Sequence, residues 1–166
     1  MNEQILMERK AGIYRNQGTA VIVASNDDQV QRIMLMLDYD SLNNKFPDMV
    51  VLKLSPLKEA IISNVFHKGD WLDWVIIEGG DEPMHPDWVR SIRDQCVESE
   101  IPFYFAGWGE WLPFSHVKYG TFPTNPFPSC RDAVPVKNIY GEGFCRVGKA
   151  NAGRLLDGRT WDQVPE

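Results

Sequence analysis

The sequence predicts an α/β fold: a small, mostly parallel sheet of about four strands flanked by helices, closed by an irregular aromatic- and proline-rich C-terminal segment. Three observations predict it. Short apolar runs rich in β-branched or aromatic residues recur along the first two thirds of the chain. A stretch with apolar residues at helical spacing follows each of the first three runs. The alternation stops at Gly107, beyond which prolines, glycines and aromatics crowd together.

The 17-residue start is polar and mixed, with Ile5, Leu6, Met7 and Ile13 its apolar residues, and reads as an arm or short helix. The first strand is Thr19 to Ala24, a nearly continuous apolar run of the kind buried on both faces of a sheet. Ser25, Asn26 and Asp27 then offer N-caps for a helix carrying Val30, Ile33, Met34 and Leu37 on one stripe. Met49 to Leu54 repeats the strand. Ser55-Pro56 next predicts a helix start, with Leu57, Ile61, Ile62 and Val65 as its stripe. Trp74 to Ile77 is a third strand and Glu78 to Glu82 a turn. Pro86 opens a helix with Val89, Ile92 and Cys96 on one side, ending near Ser99. Pro102 to Phe105 is the fourth strand. The resulting organisation is an arm (1–17), an α/β core (18–112) and a C-terminal extension (113–166) packed on that core. Within the extension, 143–148 and 154–159 read as short extended pieces, the second turning at Asp157-Gly158.

Composition bounds the function. The 166 residues carry 17 Lys+Arg against 23 Asp+Glu, a net charge of −6, with 43% hydrophobic residues. A chain of this size buries roughly 68–70% of its unfolded surface, enough for a core without staples. The acidic balance disfavours a general nucleic-acid or phosphate-binding surface. No apolar run approaches the roughly 18 residues of a membrane span, and the N-terminus lacks the basic-then-apolar order of a secretory signal. Three cysteines, Cys96, Cys130 and Cys145, are an odd number, which argues against a disulfide framework and for the cytoplasm.

Four sequence blocks carry a family resemblance: Asp73 to Gly80, Met84 to Cys96, Phe105 to Trp111, and Gly153 to Asp162. In order they resemble D-W-V-I-x-G-G-E, M-x-P-D-W-V-R-x-x-R-D-Q-C, F-x-x-x-W-G-x-W and G-R-L-L-D-G-R-x-W-D of a phage-associated family of uncharacterised proteins similar to radical S-adenosylmethionine enzymes. The resemblance implies the later half of a β/α barrel and, in a phage, the host cytoplasm. Such enzymes hold a four-iron cluster through a C-x-x-x-C-x-x-C loop. The sequence lacks that loop, so no cofactor is expected. A half barrel leaves strand edges open, which implies a protein partner or self-association unless the C-terminal segment covers them.

The candidate ligand-binding residues are Glu78, Gly79, Gly80, Asp81, Glu82 and His85, at the carboxyl end of a strand where parallel α/β proteins bind ligands, with Trp108 and Trp111 on the same rim. The acids suit an amine, a ribose or a hard metal, the glycines a close backbone approach, and the tryptophans a stacked base of a small nucleotide-like ligand. The competing structural roles are a tight turn, a plug of the sheet edge, and helix capping by His85 and Asp87 before and after Pro86. Arg90 and Arg93 suit phosphate or, in competition, ion pairs with Asp87 and Asp94. Lys149, Arg154 and Arg159 form a candidate basic spot. No metal site and no catalytic group is assigned, and His67, His116 and Cys96 read as structural. These features favour a phage-type, non-catalytic binding or inhibitory module. The alternatives are an accessory subunit of a radical enzyme and a small enzyme acting through the acidic turn.

Overall fold

Each apolar run becomes a strand of one five-stranded sheet. β1 (Ile13–Asn16), β2 (Thr19–Ala24), β3 (Met49–Leu54), β4 (Trp74–Glu78) and β5 (Phe103–Gly107) lie side by side in chain order. β2 to β5 run parallel, whereas β1 pairs antiparallel with β2, placing Ile13 opposite Ile22. The structure, a computed structural model, describes residues 13–16, 18–42, 47–63, 66, 72–117 and 136–166. The expectations for residues 1–12, for Val65 and His67, and for the 118–135 stretch with Cys130 lie outside them.

Consecutive parallel strands joined by right-handed crossovers collect their helices on one face, so the order from β2 to β5 is that of part of a β/α barrel; the sheet is open. The helices are α1 (Asp27–Leu42) and α2 (Pro86–Glu98). Val30 and Ile33 of α1 and Val89, Ile92 and Cys96 of α2 join a core with Ile22, Leu52, Leu54, Val75, Ile77, Phe103 and Phe105. Burial in β2, β4 and β5 alternates instead of being complete on both faces. The second face, with Val23, Lys53, Ile76 and Glu78, is only half covered.

The predicted caps form. Asn26 Oδ1 accepts the Gln29 N–H at 2.9 Å, while Gln29 Oε1 accepts the Ser25 N–H at 2.7 Å, a reciprocal cap at the start of α1. Pro86 occupies the first turn of α2, His85 caps it, and Ser99 ends it.

Four expectations are corrected. Ile13–Asn16, placed by the sequence in an arm or short helix, form β1. Among the described residues the helix expected after Ser55-Pro56 does not form: residues 55–63 are turn and irregular chain. The chain turns there, across a cis Ser55–Pro56 bond, and its amides go to the neighbouring β2–α1 turn. Lys58 N–H donates to the Ser25 carbonyl, and the Ile62 and Ser63 N–H groups donate to Asp27 Oδ1. Amides spent in this way do not close helical rings. The C-terminal extension is less irregular than its composition suggests. β6 (Trp111–Pro113), β7 (Val136–Ile139) and β8 (Glu142–Arg146) make a three-stranded antiparallel sheet in the order β6-β8-β7, and a short helix α3 (Lys149–Ala152) follows. Finally, Cys145 in β8 is disulfide-bonded, so the odd cysteine count does not mean three free thiols; Cys96 is free and buried.

The tail closes one edge of the main sheet. Tyr104 and Asp162 form an antiparallel bridge, Phe105 N–H donates to the Trp161 carbonyl at 3.0 Å, and Phe103 N–H donates to Gln163 Oε1 at 3.1 Å. Among the described residues no helix is long and apolar enough to cross a membrane.

Candidate functional site

Four parallel strands pointing the same way bring their carboxyl ends to one rim, where the predicted acidic turn lies. Glu78, the last residue of β4, is clasped by two lysines: Lys53 Nζ from β3 at 2.9 Å from Oε2, and Lys149 Nζ from α3 at 2.7 Å from Oε1. Ser55 Oγ adds a donor at 3.3 Å. The hydrogen bonds from Lys149 and Lys53 outweigh the opposing effect of burial and bring the Glu78 carboxyl down to about 2. It is therefore an anchored carboxylate at neutral pH, ill suited to donating or accepting a proton in a reaction.

The glycines beside it serve the chain's own backbone. Gly79 N–H donates to the Gly107 carbonyl at 2.9 Å, and Glu110 N–H donates to the Gly80 carbonyl at 2.8 Å. A Cβ on Gly79 would overlap the Trp108 carbonyl, and one on Gly109, where φ is +78°, would overlap Gly80 and Gly79. The two loops cross at bare-backbone distance, which only glycine permits. Trp108 is fully buried, its indole N–H donating to the Leu155 carbonyl at 2.9 Å. Trp111 is 3% exposed and donates to the Asp81 carbonyl at 2.8 Å. Both rings plug the rim.

The other acids separate. Asp81 is exposed, and Glu82 pairs with Lys137 at 2.5 Å. His85 is buried and accepts the Asp87 N–H on Nδ1 at 3.2 Å. Among the described residues, no three His, Cys, Asp or Glu side chains are grouped to hold a metal ion. The available cysteines do not fit an iron–sulfur site either: burial pushes the Cys96 thiol up to about 12, and Cys145 is already disulfide-bonded.

The basic spot disperses as well. Lys149 is on Glu78, Arg154 pairs with Asp162 and lies over the Tyr104 ring, and Arg159 stacks 3.8 Å from the centroid of Trp161. Arg90 and Arg93 make the expected pairs with Asp87 and Asp94, each at 2.8 Å, and both also reach Asp157. Asp157 and Gly158, with φ of 53° and 85°, form the predicted turn between bridge partners Leu156 and Arg159. His116 joins this centre, its Nε2 accepting the Asp157 N–H at 3.3 Å.

The rim also holds a cleft of about 530 Å³. Its walls are Asp27, Asp28 and Gln31 at the start of α1, Glu59, Ala60 and Ile62 after β3, Trp88 in α2, and Tyr140 in the β7–β8 turn. Asp27 is 8% exposed and accepts from Ile62 N–H, Ser63 N–H, Ser63 Oγ and Gln31 Nε2. Burial opposes its ionisation, but these donors, Ser63 foremost, hold its carboxyl below the ordinary range. All four donors are neutral, so the negative charge stays uncompensated.

The model of a family described as Protein of unknown function (DUF5131) matches residues 4–165. The chain belongs to this family. Neither a curated protein nor a solved structure gave a match.

In this DUF5131 member the rim residues marked by the sequence come together as expected, with partners that the sequence does not mark. Asp27 reads as one of three capping candidates, yet it anchors the segment after β3. Asp157 reads as a turn residue, yet it gathers two arginines. Trp88, Glu59 and Tyr140 gave no separate signal, because they meet only after α2 and the β7–β8 hairpin have packed. The one available hint was Tyr140-Gly141 between two polar, extended stretches, a hairpin-turn position unusual for an aromatic residue.

Proposed function

We propose that this chain is a non-catalytic binding module of phage type, a relative of radical S-adenosylmethionine-like proteins that acts in the cytoplasm on a protein partner. The observation that carries the reading is the double lysine clasp on Glu78. It leaves the acid at the carboxyl end of β4 fixed in charge and position. Of the other residues on which a small enzyme would rely, His85 caps α2, Glu82 pairs with Lys137, and Trp108 and Trp111 are buried, which leaves the exposed Asp81 as the one to test. What remains open beside them is a cleft lined by carboxylates, an amide and two aromatic rings, groups suited to holding a ligand.

The partner test is affinity capture of the tagged full chain from its native host, mass spectrometry, and reconstitution of the pair from purified components. A defined protein that binds stoichiometrically supports the reading. Turnover of a nucleotide-like substrate that Asp81→Ala abolishes without lowering the melting temperature would overturn it in favour of an enzyme. A second reading, an accessory subunit that completes a radical enzyme, draws on the open barrel-like strand order. It requires the captured partner to carry an iron–sulfur absorption band.

A further inference from the structure

We propose that the cleft between the start of α1, the segment after β3, Trp88 and Tyr140 receives a basic side chain, arginine or lysine, of a partner polypeptide. The proposal rests on the binding-module reading and names the chemistry of its contact.

Charge is the first support. Asp27, Asp28 and Glu59 line the cleft, and among the described residues no lysine or arginine does. Arg32 answers Asp28 at 3.0 Å, Glu59 Oε1 takes the Asp27 N–H at 3.1 Å, and Asp27 is ringed by neutral donors. The cleft therefore keeps net negative charge on a chain that is itself at −6, which draws basic partners toward it. Among the described residues these carboxylates are not grouped to coordinate a metal ion, and their spread along the cleft suits an organic cation.

Aromatic geometry is the second support. Trp88 and Tyr140 meet edge to face, centroids 6.0 Å apart at 65°. Tyr140 is 84% exposed although its φ is +51°, a conformation unfavourable for a bulky residue. A guanidinium or ammonium placed against such rings gains a cation–π interaction that the carboxylates opposite reinforce.

The third support lies behind those rings. His85 is 7% exposed and sits 5.8 Å from Trp88 and 6.2 Å from Tyr140, centroid to centroid. Its Nδ1 accepts the Asp87 N–H, so in the neutral ring the proton is on Nε2, and Nε2 has no partner. A buried donor without an acceptor is costly, and a peptide carbonyl beside the cation would satisfy it once Tyr140 shifts. That requirement favours a polypeptide over a free amine. Ile62, 83% exposed on the cleft wall, offers an apolar contact for the partner's flanking residues.

The experiment titrates the intact protein with blocked peptides Ac-Gly-Arg-Gly-NH₂ and Ac-Gly-Lys-Gly-NH₂, the citrulline analogue of the first, and methylguanidinium, followed by ¹H–¹⁵N NMR. The charged peptides should shift the Ile62 and Ser63 amides and the Trp88 indole, and bind about tenfold more tightly than the citrulline peptide. Methylguanidinium alone should bind at least about tenfold more weakly than the arginine peptide. Asp28→Asn/Glu59→Gln should weaken arginine-peptide binding by about tenfold without changing the melting temperature, and Tyr140→Gly should weaken it by about threefold. Equal binding of the citrulline peptide, or shifts confined to other surfaces, would overturn the cation site. Equal binding of methylguanidinium would overturn the polypeptide ligand. If a captured partner binds Asp28→Asn/Glu59→Gln as tightly as the parent, this site fails while the binding-module reading stands; absence of any partner sinks that reading itself.

Discussion

Asp157 holds Arg90 in a two-pronged grip: Oδ1 accepts from Nε at 3.1 Å and from Nη2 at 2.8 Å. Oδ2 meanwhile accepts from Arg93 Nη1 at 2.6 Å, so the C-terminal turn is bolted to two successive turns of α2. Asp157→Asn keeps a residue that tolerates the left-handed conformation at this position and removes only the charge. Because the side chain is 37% exposed, solvent screening discounts the loss to about 1 kcal/mol, read as a lower denaturant midpoint at unchanged m-value.

Acid should destabilise the protein in two stages. His116 is held below its ordinary 6.5 by burial and by Arg90, so the unfolded chain takes up that proton first and stability falls as pH drops below 6.5. Glu78, lowered from 4.5 to about 2 by Lys149 and Lys53, and Asp157, lowered from 3.8 by Arg90, contribute stability above those ordinary values that is lost as pH falls further. Melting temperature against pH should show both limbs. His116→Leu should remove the upper one, and Glu78→Gln should flatten the lower one.

The crossing of Gly79 and Gly109 admits no side chain. Gly79→Ala should cost about 3 kcal/mol, since the new methyl group meets backbone rather than a mobile side chain. Gly141→Ala is the control: φ is +87° but the space is open, so its cost should be about 1 kcal/mol. Equal losses in the two variants, measured by chemical denaturation, would contradict the close approach.

The bridge from Tyr104 to Asp162 covers an edge that would otherwise accept another strand. Deleting residues 160–166 should expose β5 and drive self-association, detected as a concentration-dependent increase in mass by light scattering.

The four parallel strands β2 to β5 were legible because each is a short apolar run with its own boundaries, and α2 was legible because Pro86 and the Val89, Ile92, Cys96 spacing mark it locally; β1 was not, because Ile13-Tyr14-Arg15-Asn16 is no apolar run. The segment after Ser55-Pro56 misled for the converse reason. Its helical signals are local, whereas the acceptor that claims its amides, Asp27, lies more than thirty positions earlier. β6 and β8 pair across a long intervening stretch, Trp111 opposite Arg146, and periodicity carries no record of such a partner. The acidic turn was found, but its lysine partners were not, because Lys53 and Lys149 converge on Glu78 from β3 and α3 only in the folded rim.

The glycine crossing also instructs anyone who would re-engineer this scaffold. Positions 79 and 109 form a fixed crossing of backbone against backbone, and a Cβ at 80 would meet the Pro56 side chain, whereas Glu59, Ile62 and Tyr140 stand at the cleft with exposed side chains. A combinatorial library that freezes the former and randomises the latter would explore new binding specificities on a mount that stays still.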